Sequence, residues 1–137
     1  SQKIPCRLGF ADVVNHLSSP KLRQKMKTDL FIYHGYAELF LENKWVKATP
    51  AFNITLCDRF EVKPLEFNGT EDAIFHEFDS TGRKHMEYVR DRGTFDDLPF
   101  ELLFNAYRKT YPNFSENFGT GRDNEFEKEA PLAGKKE

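Results

Sequence analysis

Sulfur is scarce in this sequence: two cysteines, Cys6 and Cys57, and two methionines in 137 residues. Two cysteines do not make a disulfide framework, and neither lies in a Cys-x-x-Cys or Cys/His ligand pattern, so both read as ordinary semi-buried thiols. Long apolar runs are missing as well. No stretch approaches the ~18 residues a membrane helix needs, so no membrane span is expected. A charged-then-apolar leader with a small-residue cleavage site is also lacking. The compartment stays open on these grounds, with the cytoplasm favoured. Charge of one sign is not in excess: the net charge is -2. A duplex-binding module carries a basic stripe, and none is visible, so no nucleic-acid partner is expected. His16, His76 and His85 do not fall at His-x-His or His-Glu-x-x-His spacing, so neither a metal nor a cofactor is expected.

What the chain has in quantity is aromatic and apolar mass. Hydrophobic residues make up 39%, aromatics 15%, and phenylalanine alone occurs 14 times. That composition describes a globular chain, and 137 residues suffice for one domain with a real core. "CRLGFADVV" enters an extended apolar run, with Leu8, Phe10 and Val13 as core positions of a first strand. Asp12 reads as a loop acid and His16 as part of a polar loop. Ser19 before Pro20 is a helix start, with Leu22 and Met26 four apart on one face and a basic flank of Lys21, Arg23, Lys25 and Lys27. Asn53 caps a second short helix with Leu56 and Phe60 on one side. "EDAIFHEF" and "RKHMEYVRD" flank "DSTG" as a second hairpin. Asp97 is a cap for a last helix with Pro99 in its first turn and Leu102, Leu103, Ala106 and Tyr107 as its apolar side. Phe95, Phe100 and Phe104 are core partners of that helix. Periodicity is lost from Asn113, so residues 1–112 read as the domain and 113–137 as a polar, flexible tail.

The strongest strand signal is "FIYHGYAELFLENKWVKATP". Under a two-residue period, Phe31, Tyr33, Gly35, Ala37, Leu39 and Leu41 form an apolar core face, while Ile32, His34, Tyr36, Glu38 and Phe40 point the other way. Glu42-Asn43-Lys44 reverses the chain. In a hairpin with an even loop, opposed residues have indices summing to an odd number, which sets Trp45, Lys47 and Thr49 on the face of His34, Tyr36 and Glu38. That face gathers an imidazole, a carboxylate, an ammonium and a hydroxyl. By composition it reads first as a solvated sheet face. The sharper reading is one wall of a catalytic cleft, in which a neutral imidazole takes a proton from a nucleophile.

The same stretch, "HGYAELFLENKWVKATPAFN", resembles the histidine segment of the bacterial transglutaminase-like family, a branch of the papain-like cysteine enzymes. Members carry a histidine, an aromatic two residues on, an acidic residue in the strand, "WV" on the next strand, then Asp-Pro. "IPCRLGFADVVNHL" resembles the segment after that family's cysteine helix, and "LCDRFEVKPLEFNGTEDAIFHEFD" and "HMEYVRDRG" are similar to a bacterial subgroup. The resemblance implies an α+β fold, an antiparallel sheet with two or three short helices, lacking the N-terminal nucleophile helix. It implies that His34 is the general base of a Cys-His pair acting on peptide or protein amide bonds. The aspartate that orients the imidazole falls on Thr49, a departure, with Asn53 and Glu38 as alternatives. Glu38 lies about 13 Å along the strand from His34, which argues against it. Tyr36, Glu38, Trp45 and Asn53 would line the cleft.

Neither thiol matches the family's nucleophile. Cys6 stands where the family has alanine, on a strand, and Cys57 lies in the helix after the histidine hairpin. The expectation is therefore a fragment or truncated form of a transglutaminase-like cysteine protease, inactive by itself. The alternative is a non-catalytic protein-binding or scaffolding module derived from the same fold. Apolar surface left without its upstream helix would favour self-association, with Phe118 and Phe126 of the tail as docking groups.

Overall fold

The structure, a computed structural model, describes residues 3–74, 77–112 and 114. Among these residues it is α+β: a four-stranded antiparallel sheet with three helices. The elements run β1 (Cys6–Asn15), α1 (Pro20–Met26), β2 (Leu30–Leu41), β3 (Lys44–Ala48), α2 (Ile54–Phe60), β4 (Met86–Phe95) and α3 (Phe100–Thr110), and the sheet order is β3-β2-β1-β4. The expected tail, with Phe118 and Phe126, and His76 lie outside the described residues.

Local chemistry accounts for most element boundaries. The Ser19 hydroxyl accepts the Leu22 N–H at 3.1 Å, satisfying one of the donors that a helix start leaves open, and Pro20 supplies a preset φ. The Asn53 side chain does the same for Leu56 at 2.9 Å. β2 and β3 are joined by Glu42 and Asn43 alone, at φ 47° and 64°. Positive φ at both central residues is the tight turn that matches the strand twist, and it places Lys44 in β3 rather than in the reversal.

The loop is even, and the register follows: Glu38 stands opposite Lys47, Leu39 opposite Val46 and Phe40 opposite Trp45.

Other expectations need correction. The helix expected from Asp97 begins at Phe100, and the Asp97 carboxylate accepts instead from the adjacent Leu98 N–H at 2.7 Å. Leu98 precedes a proline, which disfavours helical backbone there and delays the start. Leu102 is 46% and Phe100 51% exposed, so α3 turns Leu103, Ala106 and Tyr107 to the core instead. Leu8 is at the surface, whereas Phe10 and Val13 are buried.

The second hairpin forms only around its turn. Asp79 accepts the N–H groups of Thr81 and Arg83 at 2.9 and 2.7 Å, and the Phe78↔Lys84 bridge closes the turn. Beyond it β4 leaves to pair with β1, while Ala73 bridges to Ala48 on the outer side of β3. β4 gains a nearly strand-long ladder by that choice, reaching from Leu8↔Phe95 to Asn15↔Met86.

The two-residue period of β2 does not run its full length. From Cys6↔Leu39 to Ala11↔His34 the pairing is regular, then Val13 pairs with Phe31. Two steps on β1 match three on β2, so β2 carries an extra residue at Ile32-Tyr33. Tyr33 sits at φ 51°, and both it and Ile32 are buried. The main core cluster joins Phe10, Ile32, Tyr33, Leu103 and Tyr111, where α3 lies on the sheet. The opposite face is solvated only toward the turn, at Phe40 and Trp45, and is buried further along the strand. Tyr36 is 4% and Glu38 5% exposed.

Candidate functional site

Side chains hold the bulge next to His34. Asp12 Oδ1 accepts the Tyr33 N–H at 3.0 Å. Asp12 in turn receives three bonds from Arg92, two from Nε at 2.9 and 3.0 Å and one from the terminal nitrogen at 2.6 Å. The same guanidinium lies 4.6 Å from the centre of the Tyr33 ring. On the other side, the Tyr111 hydroxyl accepts the Ile32 N–H at 2.8 Å and donates to the Leu30 carbonyl at 3.1 Å. The Tyr107 hydroxyl donates to the Tyr33 carbonyl at 3.4 Å.

Left-handed backbone at a non-glycine residue costs about 1–2 kcal/mol. A hydrogen bond to a charged group is worth about 1.5–3 kcal/mol, enough to offset it. Asp12 is thus a buried strand residue with a fixed ionic partner, and the reading of it as a loop acid is overturned. An acid inside the apolar run "GFADVV" is the signal, because a buried carboxylate requires a cation.

His34 follows the bulge directly. It faces Ala11 across the ladder and is half-buried. Burial lowers its pKa from the ordinary 6.5, so the ring is neutral at neutral pH. Its Nδ1 is buried and has no hydrogen-bond partner among the described residues. Thr49 Oγ1 is in the same state, so no hydrogen bond joins it to Nδ1. The Thr49 N–H is bound to the Ala73 carbonyl at 2.8 Å. Ala37↔Ala48 is the last pair of the β2–β3 ladder, and the register carried one step further sets Thr49 across from Tyr36, diagonal to His34. Such diagonals span roughly 7–8 Å.

The remaining expected cleft residues have other engagements. Glu38 is the centre of an ionic row across three strands, directly opposite both Arg7 and Lys47. Its carboxylate takes Arg7 Nε at 2.6 Å and stands 3.9 Å from Lys47 Nζ. The Arg7 guanidinium lies 4.1 Å from the Trp45 ring centre, and Trp45 packs with Phe40 at 5.3 Å. Asn53 caps α2. Tyr36 lies over Gly9, where a Cβ would come within 2.1 Å of its ring. Glycine at that position is a steric requirement of the tyrosine.

Two cavities flank this part of the sheet. One, of 360 Å³, lies among α1, the start of β2 and α3, and His34 is on its wall. The other, of 410 Å³, is lined by Ala11, Tyr36, Lys47, Ile74, Tyr88 and Asp91. There Lys47 Nζ is 5.0 Å from the Tyr36 ring centre. Burial raises the Tyr36 phenol despite Lys47, and burial likewise pushes the Tyr88 phenol up. The structure therefore sets His34 on one cavity and Tyr36 on another, with Trp45 and Asn53 lining neither.

The thiols are elsewhere. Cys6 is exposed and pairs with Leu39, five residues along β2 from His34. Cys57 is buried in α2, its Sγ 3.6 Å from the Phe52 carbonyl, and burial raises its pKa. A raised thiol pKa opposes nucleophilic use. No group of three or more His, Cys, Asp or Glu among the described residues is placed to hold a metal ion. No helix among the described residues is long and apolar enough to cross a membrane. Comparisons with family models, with curated proteins and with solved structures found no match to this chain.

Proposed function

We propose that this chain is the base-bearing part of a transglutaminase-like thiol enzyme, with His34 as the general base. The observation that carries the reading is the state of His34. It is a neutral, half-buried imidazole on an interior strand, with a buried Nδ1 that nothing described engages. The antiparallel run β1-β2-β3, built from the segments that resemble the family, supports it. In this reading the thiol comes from polypeptide outside these residues. His34 takes the thiol proton as sulfur attacks an amide carbonyl, then gives it to the departing amine. The resulting thioester is resolved by water or by a second amine. Peptides or proteins are the substrates.

Thr49 would meet the ring only as a hydroxyl, which can accept a hydrogen bond but cannot stabilise an imidazolium as a carboxylate does. The lack of a bond between Thr49 Oγ1 and His34 Nδ1 favours a second reading, a protein-binding module that no longer catalyses. Amide turnover assays on the chain itself test the placement. The expected result is no thiol-dependent turnover. Turnover abolished by Cys6→Ser would put the nucleophile within the chain and contradict the proposal.

A further inference from the structure

We propose that the 360 Å³ cavity beside His34 is a binding site for a small amphipathic carboxylate, an aromatic or medium-chain acid. This goes beyond the thiol chemistry and does not rest on it. Protein interiors are close-packed, and a cavity of this size falls in the range of small-molecule sites. Its walls are Met26 from α1, Phe31, Ile32 and Tyr33 from β2, Tyr107 from α3 and Tyr111 just after it. The Tyr107 and Tyr111 hydroxyls are already committed to the β2 backbone, so their rings have carbon to offer a ligand.

Among the described residues the cavity lining contains no carboxylate, and His34 is neutral there. Its one charged group among the described residues is Lys25, which is exposed and makes no ion pair with any of them. The helix that brings Lys25, "PKLRQKM", carries Lys21 and Arg23 as well and no acid. An apolar slot with a cationic rim selects an apolar body with an anionic head. A neutral aromatic would fill the slot without using the rim. A cation would meet repulsion there.

The probe is 4-phenylbutyrate, followed by NMR shifts of the Met26 methyl and the Tyr107 ring. For a ligand of roughly 12 non-hydrogen atoms, a Kd on the order of 1 mM is expected. Lys25→Glu, an exposed change that leaves the fold alone, should weaken the acid about fivefold and leave neutral 4-phenylbutanamide unchanged. Met26→Trp, which fills the slot, should weaken both about tenfold or more. No shift at Met26 and Tyr107 would overturn the site. Undiminished binding to Met26→Trp, or equal effects of Lys25→Glu on acid and amide, would overturn it too. None of these outcomes bears on thiol turnover, so failure here is distinct from failure of the catalytic reading.

Discussion

Asp12 and Tyr33 are joined across β1 and β2 by a single bond: the carboxylate accepts the Tyr33 N–H at 3.0 Å, at the point where β2 turns left-handed. Arg92 from β4 fixes that carboxylate with its own fork, so three strands meet at the residue before His34. Removing one partner of a buried ion pair leaves the other charge uncompensated, at a cost of about 3–5 kcal/mol. Asp12→Ala and Arg92→Ala should each lower the urea midpoint accordingly. The double variant should cost less than the two single losses added together. Additive losses would show that the pair does not act as a unit.

Tyr111 makes a second, separable contribution. Phenylalanine at position 111 keeps the ring in the core but leaves the Ile32 N–H and the Leu30 carbonyl without their hydroxyl. Leaving a buried backbone group unpaired costs about 1–3 kcal/mol. Tyr111→Phe should therefore destabilise by that amount, and hydrogen exchange at the Ile32 amide should accelerate more than at Leu39. Uniform acceleration would assign the tyrosine a packing role only.

Much of the histidine hairpin is legible in the sequence because it depends on short-range rules. Turn length sets parity, and parity puts Lys47 on the face of Glu38, as expected; that the two stand directly opposite each other needed the structure. Ser19 and Asn53 were legible as caps because the capping bond spans three residues. The bulge at Tyr33 was not legible. It is imposed by Asp12, Arg92 and Tyr111, which lie 21, 80 and 79 residues from their bonding partners in sequence. The same distance hid the choice of β4 to pair with β1 rather than with the strand before it. Burial of Tyr36 and Glu38 was hidden too, since a polar face reads as solvated until its cover is known.

The titration of His34 gives a pH dependence with a fixed sign. Its pKa in the folded protein lies below the ordinary 6.5 because burial disfavours the charged ring. Below that value the unfolded chain binds more protons than the folded one. The contribution of a neutral His34 is full above 6.5 and is lost as pH falls through the window down to the folded pKa. His34→Gln should reduce the loss of stability between about pH 7 and about pH 5, read from urea midpoints. An unchanged slope would contradict a depressed pKa.

Thr49→Asp probes the second half of the site. A carboxylate near the ring favours the imidazolium, so the His34 Cε1 proton should titrate at higher pH in this variant. An unmoved titration would separate the two residues and remove Thr49 from any orienting role.

The most direct measurement concerns the base itself. The protein expressed from its complete gene is treated with a peptide acyloxymethyl ketone, which alkylates activated cysteines, and the labelled residue is identified by mass spectrometry. Labelling is expected at a cysteine other than Cys6 or Cys57, reduced by about a hundredfold or more in His34→Ala. Labelling that survives His34→Ala, or that falls on Cys6 or Cys57, would contradict it.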